Sequence, residues 1–200
     1  MGLSTRAIAS EARQLQNINT TIVLTGIDTS IERIEMVKKN DIDHATANLG
    51  ECLEKPLPEV ITNYLQANTE KVPFRRKSFD VVFIMYVFHE TPYRVREKIL
   101  RETQRVLKPE GLLAVVDISR DYEAMSLSSI TLGETHLQEY QQNFKRQLSS
   151  LPGLTPIAEG IVVPQHVVLY ASVKRARKQW WARILFRCTK PFRLSDVHHL

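Results

Sequence analysis

Polar residues that can bind ligands or move protons follow the apolar, strand-like segments of this chain, near the point where each segment ends. In open α/β sheets, ligands bind at the carboxyl ends of the strands. His89 is the natural candidate for a general base, because the ordinary pKa of histidine lies near neutrality. Asp28 and Asp117 offer carboxylate acceptors. The full group consists of Asp28, Asn68, Tyr86–Glu90 and Asp117–Arg120.

The segments that would position these residues alternate between helical and strand-like patterns. The apolar run Val81–Met85 favours burial on both faces, as in a central parallel strand. Thr29 is predicted to cap a helix with Glu32 reaching back, and residues 40–58 to form a long connection. Pro109–Gly111 is predicted to end a helix and turn the chain into a strand. Predicted helices cover residues 3–15, 29–39, 93–107 and 134–148, and predicted strands cover residues 21–28, 60–68, 79–86, 112–118, 154–163 and 165–173.

This alternation predicts an α/β fold with a mostly parallel sheet and helices on both of its faces. The last two strands are expected to form an antiparallel hairpin through Pro164 that closes one edge of the sheet. A chain of 200 residues fits one domain, which we place at residues 1–174, followed by a basic, aromatic tail at residues 175–200.

The net charge of +5 is concentrated at the C-terminus. Residues 174–200 carry eight Lys or Arg and one acidic residue, whereas the rest of the chain carries 19 basic and 21 acidic residues. The nearly neutral body argues against a nucleic-acid partner. On a helix, Trp181, Ile184 and Leu185 would share one face, which fits peripheral contact with an anionic membrane. A solvated extension is the alternative.

The two cysteines, Cys52 and Cys188, show no metal-ligand spacing, and the histidines have no partners at such spacing. We therefore expect neither a disulfide framework nor a metal site. A reducing compartment, with the cytoplasm as the default, is the corresponding expectation for the location of the protein. The apolar runs are too short to cross a bilayer.

Four short motifs resemble, in order, those of the class I S-adenosylmethionine-dependent methyltransferases, in particular the type 11 group. Gly26–Ser30 resembles the acidic end of the family's second strand, and Gln66–Phe74 its adenine-side loop, with Asn68 where the family most often has Asp. Ser78–Glu90 resembles the fourth strand and the loop after it, and Leu107–Gly111 the family's Leu-Lys-Pro-Gly-Gly turn. The resemblance implies a Rossmann-like sheet, S-adenosylmethionine as cofactor and methyl transfer to a small-molecule acceptor.

The resemblance also implies roles for individual residues. The carboxylate of Asp28 would accept hydrogen bonds from the ribose hydroxyls, and His89 would lie where the acceptor enters and act as its base. The cofactor-binding residues would be Gly2, Asp28, Thr29, Asn68, Thr69 and Tyr86. The structural alternatives are a helix-entry acid for Asp28, a polar turn for Asn68 and Thr69, a core aromatic for Tyr86 and a helix-capping loop histidine for His89.

The start of the chain departs from the family pattern. The family's first strand ends in Gly-x-Gly-x-Gly, and only Gly2 and the helix after it match that motif here. Because this strand lies in the middle of the family's sheet, its absence would leave two unpaired strand edges and an apolar gap. We expect a fragment of a longer protein or an abbreviated gene product. A catalytically inactive binding module is the alternative to an enzyme.

Overall fold

The computed structural model describes residues 2–14, 20–47, 59–122 and 135–175. Helices and strands alternate along the chain, as the sequence patterns predict. The helices are α1 (Gly2–Gln14), α2 (Ile31–Ala47), α3 (Tyr93–Val106) and α4 (Leu137–Ser150). The strands are β1 (Ile22–Asp28), β2 (Val60–Gln66), β3 (Phe79–Met85), β4 (Leu107–Ile118), β5 (Leu154–Val163) and β6 (Val167–Lys174).

The described strands form a two-stranded and a four-stranded sheet. In the first, β1 pairs in parallel with β2, and Asp28 lies opposite Gln66. In the second, the order is β3-β4-β6-β5, with β3 and β4 parallel and both other pairs antiparallel. This topology confirms the predicted α/β class, the parallel pairing and the antiparallel C-terminal hairpin.

The main core lies on one face of the four-stranded sheet, beneath α3 and α4. Leu113 and Val115 of β4 point into it and are fully buried. They meet Leu100 of α3, Phe144 of α4 and Tyr170 of β6, whose rings and aliphatic side chains form one continuous cluster. Each fully buried large apolar side chain contributes about 1.5–3 kcal/mol to stability. This core therefore holds the four-stranded sheet together, and with it the ends of β3 and β4.

Both predicted ends of α2 are wrong. Helix α2 continues to Ala47, so residues 40–47 do not belong to a connection. Its N-cap is Ser30 and not Thr29: the Ser30 hydroxyl accepts a hydrogen bond from the backbone N–H of Arg33 at 3.2 Å. The Ser30 hydroxyl also donates to the carboxylate of Glu32 at 2.6 Å, which holds the pKa of that exposed carboxyl below its usual value. A serine one position nearer the helix competes well with threonine for this role.

Pro109–Gly111 lies inside β4 and does not separate a helix from a strand. Leu107 already has extended backbone angles and pairs with Phe79, so α3 ends directly into β4. The residues after Leu107 form a bulge opposite Asp80. A side chain at Gly111 would meet the carbonyl oxygen of Asp80 at 3.0 Å, which explains the glycine.

The expectation that Val81–Met85 is buried on both faces is also wrong for the described residues. Val81 is 39% exposed and Phe83 is 47% exposed, so the face of β3 that carries them is not packed into the core, and β3 also lies at the edge of its described sheet. Only the opposite face, with Ile84, packs into the core. A strand of this composition at an edge leaves apolar surface and backbone groups without a neighbouring strand.

An apolar cavity of about 210 Å³ lies between β1 and β3. Leu24–Ile27 line one side and Val81–Met85 the other. Consecutive residues of both strands line it, so the cavity faces strand edges and not a single side-chain face. Among the described residues, β1 pairs only with β2 and β3 only with β4. The gap between two strand edges therefore agrees with the expectation from the sequence.

Several predicted features lie outside the described residues. These are Cys52, Cys188 and the tail beyond Arg175, so the proposed division into a domain and a tail stays a prediction. No helix in the described ranges is long and apolar enough to cross a membrane.

Candidate functional site

Asp28 ends β1 with a buried carboxylate, 4% exposed as a residue. Its Oδ1 accepts a hydrogen bond from the backbone N–H of Ser30 at 3.0 Å. Its Oδ2 is buried and has no hydrogen-bond donor among the described residues. The largely exposed Arg33 lies nearby, with its Nη1 3.8 Å from Oδ2. A buried carboxylate oxygen without a donor is costly in a folded protein unless a ligand supplies the missing hydrogen bond.

Gly26 lies two residues before Asp28, at a point where Tyr64 and Thr5 come close to the backbone of β1. A Cβ atom at this position would lie 2.8 Å from Cδ1 of Tyr64 and 3.0 Å from Oγ1 of Thr5. Gly26 and Ile27 border both the cavity between β1 and β3 and a small cavity of about 20 Å³ that reaches Asp28. The glycine therefore allows Tyr64 and Thr5 to pack directly against the backbone of β1 near the carboxylate.

The loop after β2 carries Asn68 and Thr69. Oδ1 of Asn68 accepts a hydrogen bond from the backbone N–H of Glu70 at 2.8 Å, so the exposed Asn68 side chain makes the polar turn that was the structural alternative for it. Thr69 lines the cavity between β1 and β3. The backbone of Thr29 contacts β2 instead of the cavities: its carbonyl accepts a hydrogen bond from Nε2 of Gln66 at 3.0 Å.

An ion pair on α3 fastens the same loop. Nη2 of Arg105 lies 2.7 Å from Oε1 of Glu102, and this contact holds the pKa of the Glu102 carboxyl below its usual value. Oε1 of Glu102 also accepts from the backbone N–H of Val72 at 2.9 Å, and Arg105 donates to the carbonyl of Phe74 at 2.8 Å. Residues 72–74 are thereby held against α3, at the edge of the cavity.

Tyr86 follows the last residue of β3 in the left-handed region, with φ at 53°. The residue is 45% exposed, so it is not a core aromatic. A tyrosine with positive φ is uncommon and costs about 1–3 kcal/mol, and such residues cluster at functional sites. The backbone N–H of Tyr86 donates to the carbonyl of Val116 at 2.9 Å. This hydrogen bond ties the turn after β3 to the last residues of β4.

His89 and Asp117 form a buried pair at the ends of β3 and β4. Nδ1 of His89 lies 2.6 Å from Oδ1 of Asp117. The Asp117 carboxylate is fully buried and also accepts from the backbone N–H groups of Phe88 and Ile118, each at 2.8 Å. Nε2 of His89 lies 3.6 Å from Oε1 of Glu90, whose side chain is 66% exposed. The sequence identified both His89 and Asp117 but not their pairing, which follows from the register that places β3 beside β4.

Arg96 supports the His89 loop from α3 and was not identified from the sequence. Its side chain is fully buried. It donates to the carbonyls of Phe88 (at 3.2 Å) and Thr91, and to Oε1 of Gln147 at 3.1 Å, and it pairs with Glu139. The sequence gives one signal for this network. Arg96 falls on the apolar face of the predicted helix at residues 93–107, and the next predicted helix carries the acid Glu139 and the amide Gln147.

The structure thus brings the candidates into two groups. Asp28 and Thr69 border the two adjoining cavities, whereas His89 pairs with Asp117 beyond the end of β3. Asn68 and Tyr86 line neither of these cavities. Gly2 is the first residue of α1, and its cofactor role stays a prediction, as do the roles of the other site residues.

Comparison with known proteins bears on what this arrangement does. A family model described as "Methyltransferase domain" matches residues 7–115, more than half of the chain. The chain belongs to this family. The match begins within α1 and ends inside β4, so it includes β1 with Asp28 and β3 with the His89 loop.

Curated relatives of this methyltransferase domain include two quinone-pathway enzymes. It is 29% identical over 138 residues to the ubiquinone/menaquinone biosynthesis C-methyltransferase UbiE of Hahella chejuensis, which covers 65% of this chain and 49% of that protein. It is 36% identical over 81 residues to the demethylmenaquinone methyltransferase of Lactococcus lactis, which covers 40% of this chain and 29% of that protein. The matches therefore span about half or less of these relatives.

Solved structures show the same fold. A SAM-dependent methyltransferase from Methanosarcina mazei superimposes with a TM-score of 0.53 at 17% identity, covering 84% of this chain and 97% of that chain. The [4+2]-cyclase SpnF superimposes with a TM-score of 0.56 at 13% identity, covering 88% and 81%. At these identities the likeness concerns the fold, and it confirms the Rossmann-like architecture of the methyltransferase domain.

Proposed function

We propose that this methyltransferase domain transfers the methyl group of S-adenosylmethionine to a small-molecule acceptor. The observation that carries the proposal is the buried Oδ2 of Asp28, which has no hydrogen-bond donor among the described residues. A ribose hydroxyl would supply that donor at the carboxyl end of β1, where ligands of such sheets bind. Family membership adds independent support.

The described residues fit the proposed cofactor. Asp28 would hold the ribose hydroxyls, and Gly26, which lines both cavities, would lie beside the ligand. Thr69, which borders the adjoining cavity, would flank the adenine. When bound, S-adenosylmethionine supplies an activated methyl group. The protein supplies position and exclusion of water.

His89 is the proposed base. An acceptor hydroxyl would lose its proton to the imidazole, and the electron pair left on the acceptor would form the new bond to the methyl carbon. The methyl–sulfur bond breaks and its electron pair stays on sulfur. The names of the quinone-pathway relatives suggest a hydroquinone as acceptor, in which loss of the hydroxyl proton also activates the neighbouring ring carbon. In a carbon-methylated ring, the proton on the methylated carbon then passes through solvent to the neighbouring ring oxygen, which restores the aromatic hydroquinone, and the imidazole releases its proton to solvent.

The test is a transfer assay with a hydroquinone probe. The purified chain is incubated with S-adenosylmethionine labelled in its methyl group and with 2-prenyl-1,4-naphthohydroquinone, and label is measured in the organic extract. We expect label transfer that Asp28→Ala abolishes. Asp80→Asn is the matched control, since Asp80 is an exposed strand aspartate paired with Lys108 at 2.8 Å. Cofactor binding without transfer to this probe or to a panel of phenols would overturn the catalytic proposal.

The second candidate is a methyltransferase-fold binding module without catalysis. The cavity between the edges of β1 and β3 favours it, because the described sheets do not join across that cavity. A binding module would give ligand binding that depends on Asp28 but no label transfer, so the same assay separates the two candidates.

A further inference from the structure

We propose that a cationic patch on this domain binds the anionic surface of a membrane, together with the basic tail that follows it. The patch consists of Arg75, Arg76, Lys77, Lys174 and Arg175. It lies at the amino ends of β3 and β4, whereas His89 and Asp117 lie at their carboxyl ends. The inference therefore concerns a separate surface and does not depend on the proposed methyl transfer.

The last turn of α3 brings the two parts of the cationic patch together. The backbone N–H of Lys77 donates to the carbonyl of Arg105 at 3.1 Å. Nζ of Lys174 donates to the carbonyl of Gln104, one residue earlier on α3, and to that of Leu107, each at 2.6 Å. The turn before β3 and the end of β6 therefore lie side by side, although they are far apart in the sequence.

Hydrogen bonds fix the turn that carries the first three cations. Oγ of Ser78 donates to the carbonyl of Arg75 at 2.7 Å, and the backbone N–H of Ser78 donates to the carbonyl of Val106 at 2.7 Å. Lys77 has a φ of 61°, which is uncommon for a lysine. The turn thus presents Arg75–Lys77, all exposed, at a defined position on the surface.

Within the described residues, ion pairs do not neutralise the charges of the cationic patch. The nearby Lys108, by contrast, pairs with Asp80 at 2.8 Å. The patch cations instead lie close to one another: after burial, the charges of Lys77 and Arg76 contribute to lowering the pKa of Lys174. An anionic surface would relieve this repulsion between like charges.

The tail indicates which anionic partner fits. The described structure ends at Arg175, within the cationic patch, so residues 176–200 start from this surface. They carry six further Lys or Arg and one acidic residue, interleaved with large apolar side chains such as Trp180 and Trp181. Cations combined with large apolar side chains are typical of segments that bind anionic membranes. A nucleic-acid partner is disfavoured, because residues 1–173 are nearly neutral.

A purely structural role is the competing explanation. Lys174 binds carbonyls at the C-terminal end of α3, where a cation is favourable, so the test leaves this residue unchanged. If Arg75–Lys77 also served folding, their neutralisation would lower the melting temperature. Repulsion between like charges predicts an unchanged or higher melting temperature at low salt.

The test is co-sedimentation of the full chain with phosphatidylcholine vesicles that contain phosphatidylserine, and with pure phosphatidylcholine vesicles as the uncharged reference. The test variant combines Arg75→Gln, Arg76→Gln and Lys77→Gln. The matched control removes the same charge from exposed positions on α2 and at the start of α3, by Lys38→Gln, Lys39→Gln and Arg94→Gln. One cation near an anionic surface changes binding about fivefold, so we expect the test variant to bind at least about tenfold more weakly and the control to stay within about threefold.

Four results would overturn the inference. Equal losses in the two triple variants would mean that only net charge acts, and equal binding to both vesicle types would exclude recognition of anionic lipid. A lower melting temperature of the test variant without vesicles would assign the three cations to folding. Tighter binding to a single-stranded oligonucleotide than to anionic vesicles, at equal phosphate concentration, would identify a nucleic-acid surface.

Discussion

Replacing Asp28 with Asn should separate cofactor binding from folding. The amide keeps an oxygen for the backbone N–H of Ser30 but removes the negative charge that a ribose hydroxyl would bond to. A hydrogen bond to a charged acceptor contributes about 1.5–3 kcal/mol, so its loss should weaken S-adenosylmethionine binding roughly 10- to 150-fold. In the free protein, Oδ2 has no hydrogen-bond donor among the described residues, and its contact with Arg33 is long, at 3.8 Å, and partly in solvent. We therefore expect the free energy of unfolding without ligand to stay constant or rise by up to about 1 kcal/mol.

Two assays check this prediction. Calorimetric titration with S-adenosylmethionine or its demethylated product gives the dissociation constant, and urea unfolding without ligand gives the stability. Asp80→Asn is the matched control and should leave the dissociation constant unchanged, since Asp80 pairs with Lys108 at the surface. Equal affinity of Asp28→Asn and the unchanged chain would refute the ribose role. A loss of more than about 2 kcal/mol without ligand would show that Asp28 is chiefly a folding residue.

Three further predictions concern stability. Arg96→Met should cost about 3–5 kcal/mol in urea unfolding, because it leaves buried acceptors unpaired, whereas the exposed Arg94→Met on the same helix should stay within about 0.5 kcal/mol. Gly26→Ala should lower the free energy of unfolding by about 1–3 kcal/mol, because the new Cβ would lie 2.8 Å from a ring carbon of Tyr64. The control is Gly160→Ala, whose Cβ would meet nothing within 4 Å and which should leave the stability unchanged. Equal effects of the two substitutions would contradict the close approach at Gly26. The pKa of Glu102 is lowered from 4.5 in the folded state, so its contribution is present above pH 4.5 and is lost as pH falls through the lower folded value. Glu102→Gln should therefore lower stability at pH 7 and flatten its loss toward acid pH, and parallel pH curves would contradict this.

The order and type of the elements could be predicted from the sequence, because hydrophobic period and turn residues specify them locally. Boundaries that depend on competing local contacts could not. Thr29 and Ser30 are both suitable caps, and only the backbone path decides for Ser30. Similarly, the composition of Val81–Met85 indicates a central strand, but the number of neighbours of a strand is a property of the sheet.

The candidate site divides in the same way. Residue types and positions after strands identified Asp28, His89 and Asp117. The contact between His89 and Asp117 depends on the parallel register of β3 and β4, which places Met85 beside Val116. Asn68 looked similar to Asp28 in sequence, yet its oxygen is used within its own turn. Sequence position therefore predicts which polar groups reach the sheet end, and hydrogen-bond partners determine which of them are available to a ligand.

The loop between β3 and α3 is held by contacts from β4 and α3 that fix the position of His89. Tyr86 adopts a positive φ, which is unfavourable for a tyrosine. A loop that only connected two elements could adopt a more favourable backbone conformation. The positive φ persists because the carbonyl of Val116 binds the backbone of Tyr86, while Asp117 and Arg96 hold the backbone of Phe88 from β4 and α3. His89 follows directly, so its ring is placed by rigid elements and not by the loop itself. A base needs this kind of support, since a misplacement of 1 Å lowers the rate of proton transfer steeply. Under the proposed role of His89, the strain at Tyr86 and the burial of Asp117 would both serve to fix the imidazole before the acceptor binds.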